Sequence, residues 1–155
     1  MDNSQLQEYM ACPFRYKMHY LEGWQKREEG KLEHHAAWGD AVHRGLECLY
    51  QGKDEFDAFQ AFQARYPVQL DEGDLAKTTE TGVSLLEQYR VHYKDEDKSW
   101  KVLQTEEVAE FELKDGVKWT VKIDLVAENT EHGGVYVWDH KTTGKPLSSY
   151  YWSQF

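Results

Sequence analysis

Cysteine and long apolar runs are both scarce in this chain of 155 residues. The two cysteines, Cys12 and Cys48, form no C-x-x-C pair, so neither a disulfide framework nor a structural zinc site is predicted. No apolar run approaches the roughly 18 residues that a transmembrane helix needs, and no membrane-spanning segment is expected. The first residues have neither a basic region nor an apolar core for export, which favours a cytoplasmic location.

Positive charge is also in short supply, since 18 lysines and arginines face 28 aspartates and glutamates and leave a net charge of −10. A broad basic surface for a polyanion is therefore not expected. Basic residues do gather near the amino terminus, where two interpretations stay open: nucleic acid passing along this segment, or an ordinary solvated surface. The residues of this basic segment are Arg15, Lys17, Lys26, Arg27 and Lys31.

The composition is that of one globular domain. Hydrophobic residues make up 40% of the chain and aromatic residues 14%, which is enough for a core. Single domains commonly span about 100 to 200 residues. Apolar side chains follow a helical period over most of residues 1–100 and a period of two over residues 101–155. The sequence therefore predicts a single α/β domain over residues 1–155, with a mainly helical part followed by a strand core.

A buried helix is predicted around His43. Apolar side chains recur at the i, i+3, i+4 and i+7 positions of one stripe between Trp38 and Leu49. The face beside this stripe carries Gly39, His43 and Glu47 at four-residue steps, so the missing side chain at Gly39 leaves room next to the imidazole. Two further helices are expected over residues 54–66, with Phe56, Phe59 and Phe62 inward, and over residues 75–93.

The strongest chemical pattern lies at the ends of two apolar strands. Asp124 occupies a polar position of one strand, and the next strand ends in Asp139-His140-Lys141. Because side chains alternate along a strand, Asp139 and Lys141 must point to one face. Pairing of the strands could bring Asp124 beside Asp139, and close carboxylates repel unless a cation such as Mg²⁺ lies between them. Alternatively, both acids face solvent and Lys141 forms an ordinary surface ion pair.

These residues resemble the signature of the PD-(D/E)xK nuclease superfamily, in which an Asp ends one strand and Asp-x-Lys ends the next. Two more segments are similar to RecB-like members, a group that includes CRISPR-adaptation and phage-exonuclease-like proteins. Residues 4–16 match S-x-L-x-x-Y-x-x-C-P-x-x-[FY], and residues 39–43 match a G-x-x-x-H helix. The resemblance implies a restriction-endonuclease-like core, an antiparallel strand meander with flanking helices, preceded by a helical region that delivers His43.

The resemblance implies metal-dependent hydrolysis of DNA phosphodiester bonds, with an exonuclease favoured over an endonuclease. One or two Mg²⁺ or Mn²⁺ ions would polarise the phosphate and lower the pKa of bound water. Lys141 would position that water or stabilise the developing charge. DNA is the expected partner, and a helicase or recombination protein is a further one. The implied metal ligands are His43, Asp124, Asp139 and the carbonyl oxygen of His140.

The family also places an acid in the strand before that of Asp124, and Glu106 aligns best with it. Glu107 is the competitor. Alternation groups Glu107 with the apolar side chains and Glu106 with the polar ones, and a bulge would invert this assignment. Parity alone therefore leaves both acids open. Val121 stands where the family favours a glycine.

Two further implications concern cysteines and the carboxyl terminus. Some RecB-like nucleases hold an iron-sulfur cluster on one early cysteine, near the position of Cys12, and three late ones. Four thiolates are the usual requirement, so a cluster is expected only if further cysteines follow. Residues 150–155 form an aromatic run with Gln154, where the family continues with a Q-x-x-x-Y helix. A nuclease domain truncated at its carboxyl terminus is therefore predicted.

Two rival functions come from other classes. A catalytically idle nuclease-like module would bind DNA or protein within a recombination or repair complex, and the intact set of Asp124, Asp139 and Lys141 argues against it. A small-molecule metallohydrolase would be expected to carry a histidine-rich ligand pattern, which this sequence lacks.

Overall fold

A computed structural model describes residues 1–24, 34–66 and 76–142. Three of the basic residues noted above, Lys26, Arg27 and Lys31, lie outside this part of the chain. The aromatic run at residues 150–155, with Gln154 and its expected helix, lies outside it as well. In the part that the structure describes, no helix is both long and apolar enough to cross a bilayer.

The chain divides into two compact units. The first combines Met1–Leu32 with Glu106–Ile123, and the second combines Glu33–Thr105 with Asp124–Phe155. Helices precede a three-stranded antiparallel sheet, which confirms the predicted α/β class with its helical amino-terminal region. The single nuclease domain expected over residues 1–155 stays a prediction.

Three consecutive helical segments open the first unit: α1 (Asn3–Ala11), α2 (Pro13–Tyr16) and a π-helical turn (Lys17–Leu21). The Asp2 carboxylate caps α1 by accepting a hydrogen bond from the Gln5 N–H at 2.8 Å. Pro13 begins α2, where its missing N–H would have had no helical partner. The Cys12 thiol caps α2 by accepting from the Arg15 N–H at 3.5 Å. Cys12 therefore has a structural role as the N-cap of α2.

Three strands form one antiparallel sheet in chain order, and the first two are joined as a hairpin. The strands are β1 (Trp100–Glu112), β2 (Lys118–Asn129) and β3 (Val135–Trp138). A single 3-10 turn, Lys114–Gly116, closes the hairpin, with Asp115 at φ 64° and Gly116 at φ 78°. Two successive positive φ angles are what an Asp-Gly hairpin turn requires, and Asp115 and Gly116 supply them. In the second unit, β2 and β3 pair antiparallel with Leu125 opposite Trp138.

Helices of the second unit enclose its hydrophobic core: α3 (His34–Tyr50), α4 (Glu55–Arg65) and α5 (Thr79–Tyr93). A short 3-10 helix, Glu96–Ser99, follows them. The predicted stripe of α3 is confirmed, because Trp38, Ala41, Val42 and Leu46 are all buried. Cys48 is buried too, as a small apolar side chain.

The inward face of α4 differs from the predicted one. Phe62 is fully buried, but Phe56 is 63% exposed, so the expectation that it faces inward is wrong. The buried positions are Ala58, Phe62 and Tyr66, at four-residue steps, and Phe56 lies off this line. A run of phenylalanines with a spacing of three fits a helix but does not say which of them the tertiary packing selects.

The packing of α4 against α5 generates the first prediction, for Gly82→Ala. A Cβ atom at Gly82 would overlap the ring of Phe62, which is fully buried and has no room to move. Alanine favours a helix over glycine by about 1 kcal/mol, but overpacking typically costs 1–3 kcal/mol. We expect a net loss in the free energy of unfolding, measured by urea denaturation. Adding Phe62→Leu should cancel part of this loss, and additive effects of the two changes would contradict the proposed overlap.

Candidate metal and catalytic site

The carboxylate of Asp124 is the centre of the site in the second unit. Its side chain is only 9% exposed, and its Oδ1 lies 3.4 Å from Nδ1 of His43 on α3. His43 lies beside the buried stripe of α3, where the helical spacing placed it, and meets Asp124 of β2 there. A Cβ atom at Gly39, one turn earlier, would lie 3.4 Å from the Thr142 hydroxyl. The room left by the missing side chain of Gly39 is therefore occupied by Thr142, in the segment that follows β3.

The second oxygen of Asp124 is also occupied. The His140 N–H donates to Oδ2 at 2.7 Å. Burial alone would raise the pKa of Asp124, but hydrogen bonds from His43 and from the His140 N–H, together with the charges of the two imidazoles, lower it. Asp124 is thereby held as a carboxylate, which is the form that a metal ligand must have.

Asp139 and Lys141 lie side by side after the end of β3. Lys141 Nζ is 2.6 Å from Asp139 Oδ1, which confirms the predicted contact between them. Their side chains are 42% and 54% exposed, so the ion pair by itself adds little stability. Extending the β2–β3 register by one pair places Asp139 opposite Asp124. Within the described residues, the ion-pair partner of Asp139 is Lys141, whereas Asp124 pairs with His43.

The first unit distinguishes the two candidate acids of β1. Glu106 has a left-handed backbone with φ 51°, and its side chain is 7% exposed and forms an ion pair with Lys122 of β2. Glu107 is exposed. A left-handed residue inside a strand marks a bulge, which is the feature that inverts the alternation of side chains. Glu106 is therefore the inward acid, although simple parity had grouped it with the polar positions.

The surroundings of the His140 ring were not predictable from the sequence. This ring stacks on Tyr50 with centroids 5.7 Å apart and an interplanar angle of 18°. The edge of Tyr89 meets it at 6.2 Å, and the ring of His43 lies 6.4 Å away. Tyr89 lies in the helix predicted over residues 75–93, but no local sequence pattern links Tyr50 or Tyr89 to a residue as distant as His140.

The donor atoms suit a hard divalent cation. Within the second unit, His43 offers an imidazole nitrogen and Asp124 a carboxylate oxygen that could bind a metal. Oxygen-rich donors favour Mg²⁺ and Mn²⁺, and imidazole extends the range towards transition metals. The described residues therefore fit a divalent ion of this class.

The lowered pKa of Asp124 generates a second prediction, for the protein in the presence of a chelator. The unfolded chain binds the Asp124 proton more tightly than the native state does, so the stabilisation is complete above the ordinary carboxyl pKa. It is lost as pH falls through the lowered native pKa. We expect Asp124→Asn to reduce the free energy of unfolding by about 1–3 kcal/mol at pH 7, the range for a hydrogen-bonded charge.

Urea denaturation at several pH values measures this loss, which should shrink towards pH 3. Asp95→Asn, at an exposed acid, is the matched control and should show no such trend. A loss for Asp124→Asn that stays constant between pH 7 and pH 3 would contradict the assignment.

The chain matches a known protein family over nearly its whole length. A family model described as the PD-(D/E)XK nuclease superfamily matches residues 3–154. No curated protein matches the chain significantly. The prediction that Asp124 ends its strand is wrong, because it lies in the middle of β2, whereas Asp139 and Lys141 follow the end of β3. The matched region contains all three residues, as well as the amino-terminal helices and the sheet. The chain therefore belongs to the PD-(D/E)XK nuclease superfamily.

Proposed function

We propose that the chain is a divalent-metal-dependent DNA nuclease and that it acts as a RecB-like exonuclease. One observation carries the proposal: Asp124 of β2 is held between His43 and the N–H of His140. Asp139 and Lys141, which flank His140 in sequence, contact each other. A buried carboxylate, an imidazole and a neighbouring ammonium are the groups that metal-assisted phosphodiester hydrolysis uses.

The ligands that we assign to one or two Mg²⁺ or Mn²⁺ ions are His43, Asp124, Asp139 and the carbonyl oxygen of His140, and Glu106 stays the predicted third acid of the family pattern. When bound, such an ion polarises the phosphate and lowers the pKa of water. The lowered pKa of Asp124 supports its assignment, because the side chain needs no deprotonation before it binds a cation.

Lys141 has a different role because an ammonium group cannot bind a cation. Its Nζ lies 2.6 Å from Asp139, which orients it. In this position Lys141 would hold the attacking water or stabilise negative charge that develops on the phosphate. The contact with Asp139 thus couples the position of the lysine to that of a proposed metal ligand.

DNA is the substrate that we propose, despite a net charge of −10. The excess of acidic over basic residues weakens non-specific binding to phosphates, so affinity for DNA should depend on the metal and on a second protein. A helicase or recombination protein would supply this contact, in keeping with the RecB-like pattern. A cytoplasmic location and an iron-sulfur cluster completed by further cysteines stay predictions.

Metal binding provides the third prediction. Titration calorimetry with Mn²⁺ should show binding by the unaltered protein and a loss of at least about ten-fold in affinity for the Asp124→Ala, Asp139→Ala double variant, since two ligands are removed. The matched control is the double variant Asp95→Ala, Glu96→Ala, which removes the same charge at exposed positions. Equal Mn²⁺ affinity in all three proteins would refute the site, and would favour the catalytically idle module if DNA is bound but not cleaved.

The fourth prediction separates Lys141 from the ligands. Lys141→Ala should retain Mn²⁺ affinity and lose about 10²-fold or more in kcat, with little change in KM, because the lysine acts on the transition state. Lys101→Ala, which removes an exposed ion pair with Glu128, should keep the original kcat. Both are assayed on linear and circular single-stranded DNA, and an exonuclease degrades the linear form alone. Unchanged turnover of Lys141→Ala would exclude the proposed role.

A further inference from the structure

The His140 side chain is enclosed by aromatic rings from two helices. Tyr50, the last residue of α3, stacks on it at 5.7 Å, and Tyr89 of α5 meets it edge-on at 6.2 Å. The hydroxyl groups of Tyr50 and Tyr89 are hydrogen-bonded to each other. His43 closes a third side of the ring at 6.4 Å. We call Tyr50 and Tyr89 the tyrosine clamp.

The tyrosine clamp contacts the chain just after the last residue of β3, where the pairing with β2 has ended. The paired register of β2 and β3 ends at Leu125 and Trp138, and β3 itself ends at Trp138. Beyond that point, the His140 N–H is attached to Asp124 Oδ2 at 2.7 Å. The backbone of residues 139–141 therefore depends on what holds His140. A ring that stacks on one neighbour and meets another at nearly a right angle is restricted in its rotation, and so is the backbone that carries it.

We propose that Tyr50 and Tyr89 are positioning residues for the reaction. By clamping the His140 ring they keep its N–H on Asp124 and fix the place of Asp139 and Lys141, which flank it in sequence. The catalytic part of this inference rests on the proposed nuclease function, whereas the structural part does not. A displacement of about 1 Å at a reacting group can reduce turnover by about 10²-fold, so a clamp of this kind has a measurable effect.

The first test uses turnover of linear DNA at saturating Mn²⁺, at a temperature where circular dichroism shows each variant to be folded. Tyr50→Leu and Tyr89→Leu should each lower kcat by about 10- to 100-fold and leave KM nearly unchanged. Tyr50→Phe keeps the stacked ring and should restore most of the turnover. Tyr93→Leu, one turn further along α5, removes a tyrosine whose ring is tilted against Tyr89 at 4.5 Å, and should keep the original kcat.

A second readout needs no cleavage. Amide hydrogen exchange, measured by NMR with a chelator present and no DNA, reports on the His140 N–H directly. Tyr50→Leu should accelerate exchange at His140 by about ten-fold or more, while amides of the β2–β3 pairing between Leu125 and Trp138 keep their rates. Tyr50→Phe should leave the His140 rate close to the original one.

The two experiments distinguish failure of the tyrosine-clamp proposal from failure of the proposed nuclease function. Unchanged exchange at His140 in both leucine variants would overturn the clamp, and so would equal acceleration at every amide, because that indicates general destabilisation. Selective acceleration with unchanged kcat would overturn the positioning role. If the unaltered protein cleaves no DNA with either metal, the proposed function fails, and the exchange experiment still decides whether the tyrosines hold His140.

Discussion

The site depends on one buried carboxylate with both oxygens occupied. Asp124 faces His43 from α3 on one side and accepts the His140 N–H on the other. Burying a charge without partners carries a large penalty, so His43 and the His140 N–H are what allow Asp124 to be buried as an anion. The lowered pKa of Asp124 reflects this balance, in which the hydrogen bonds and the charges of the two imidazoles outweigh burial. Folding of the second unit therefore favours the ionised form of its central acid more strongly than the unfolded chain does.

The packing of α3 in the hydrophobic core also sets the position of His43. The rotation of α3 about its axis is fixed by its buried stripe, in which Ala41 and Val42 are almost completely enclosed. His43 follows directly, so its direction is set by apolar packing rather than by the acid that it meets. The same helix ends at Tyr50, whose ring stacks on His140. The helix α3 therefore holds both partners of Asp124: it carries His43, and through Tyr50 it contacts His140.

Local periodicity explains which features were predictable from the sequence. The stripe of α3 and the contact of Asp139 with Lys141 follow from the periods 3.6 and 2, which a single segment carries. The choice of Glu106 over Glu107 does not, because it depends on a left-handed residue and on Lys122 from another strand. The stacking of His140 on Tyr50 joins residues 90 positions apart, and no periodicity encodes such a contact.

The acids are also neutralised differently from what the sequence suggested. Convergent carboxylates were expected to need a cation between them, yet each acid is matched by a positive or protonatable group of the chain itself: Glu106 by Lys122, Asp124 by His43, and Asp139 by Lys141. A bound cation must therefore compete with these partners as well as attract the carboxylates. Lys141 contacts Asp139 without a metal, so an ion bound to Asp139 would share that carboxylate with the ammonium group. The groups that neutralise the acids in the folded chain are therefore the same groups that the proposed metal would meet.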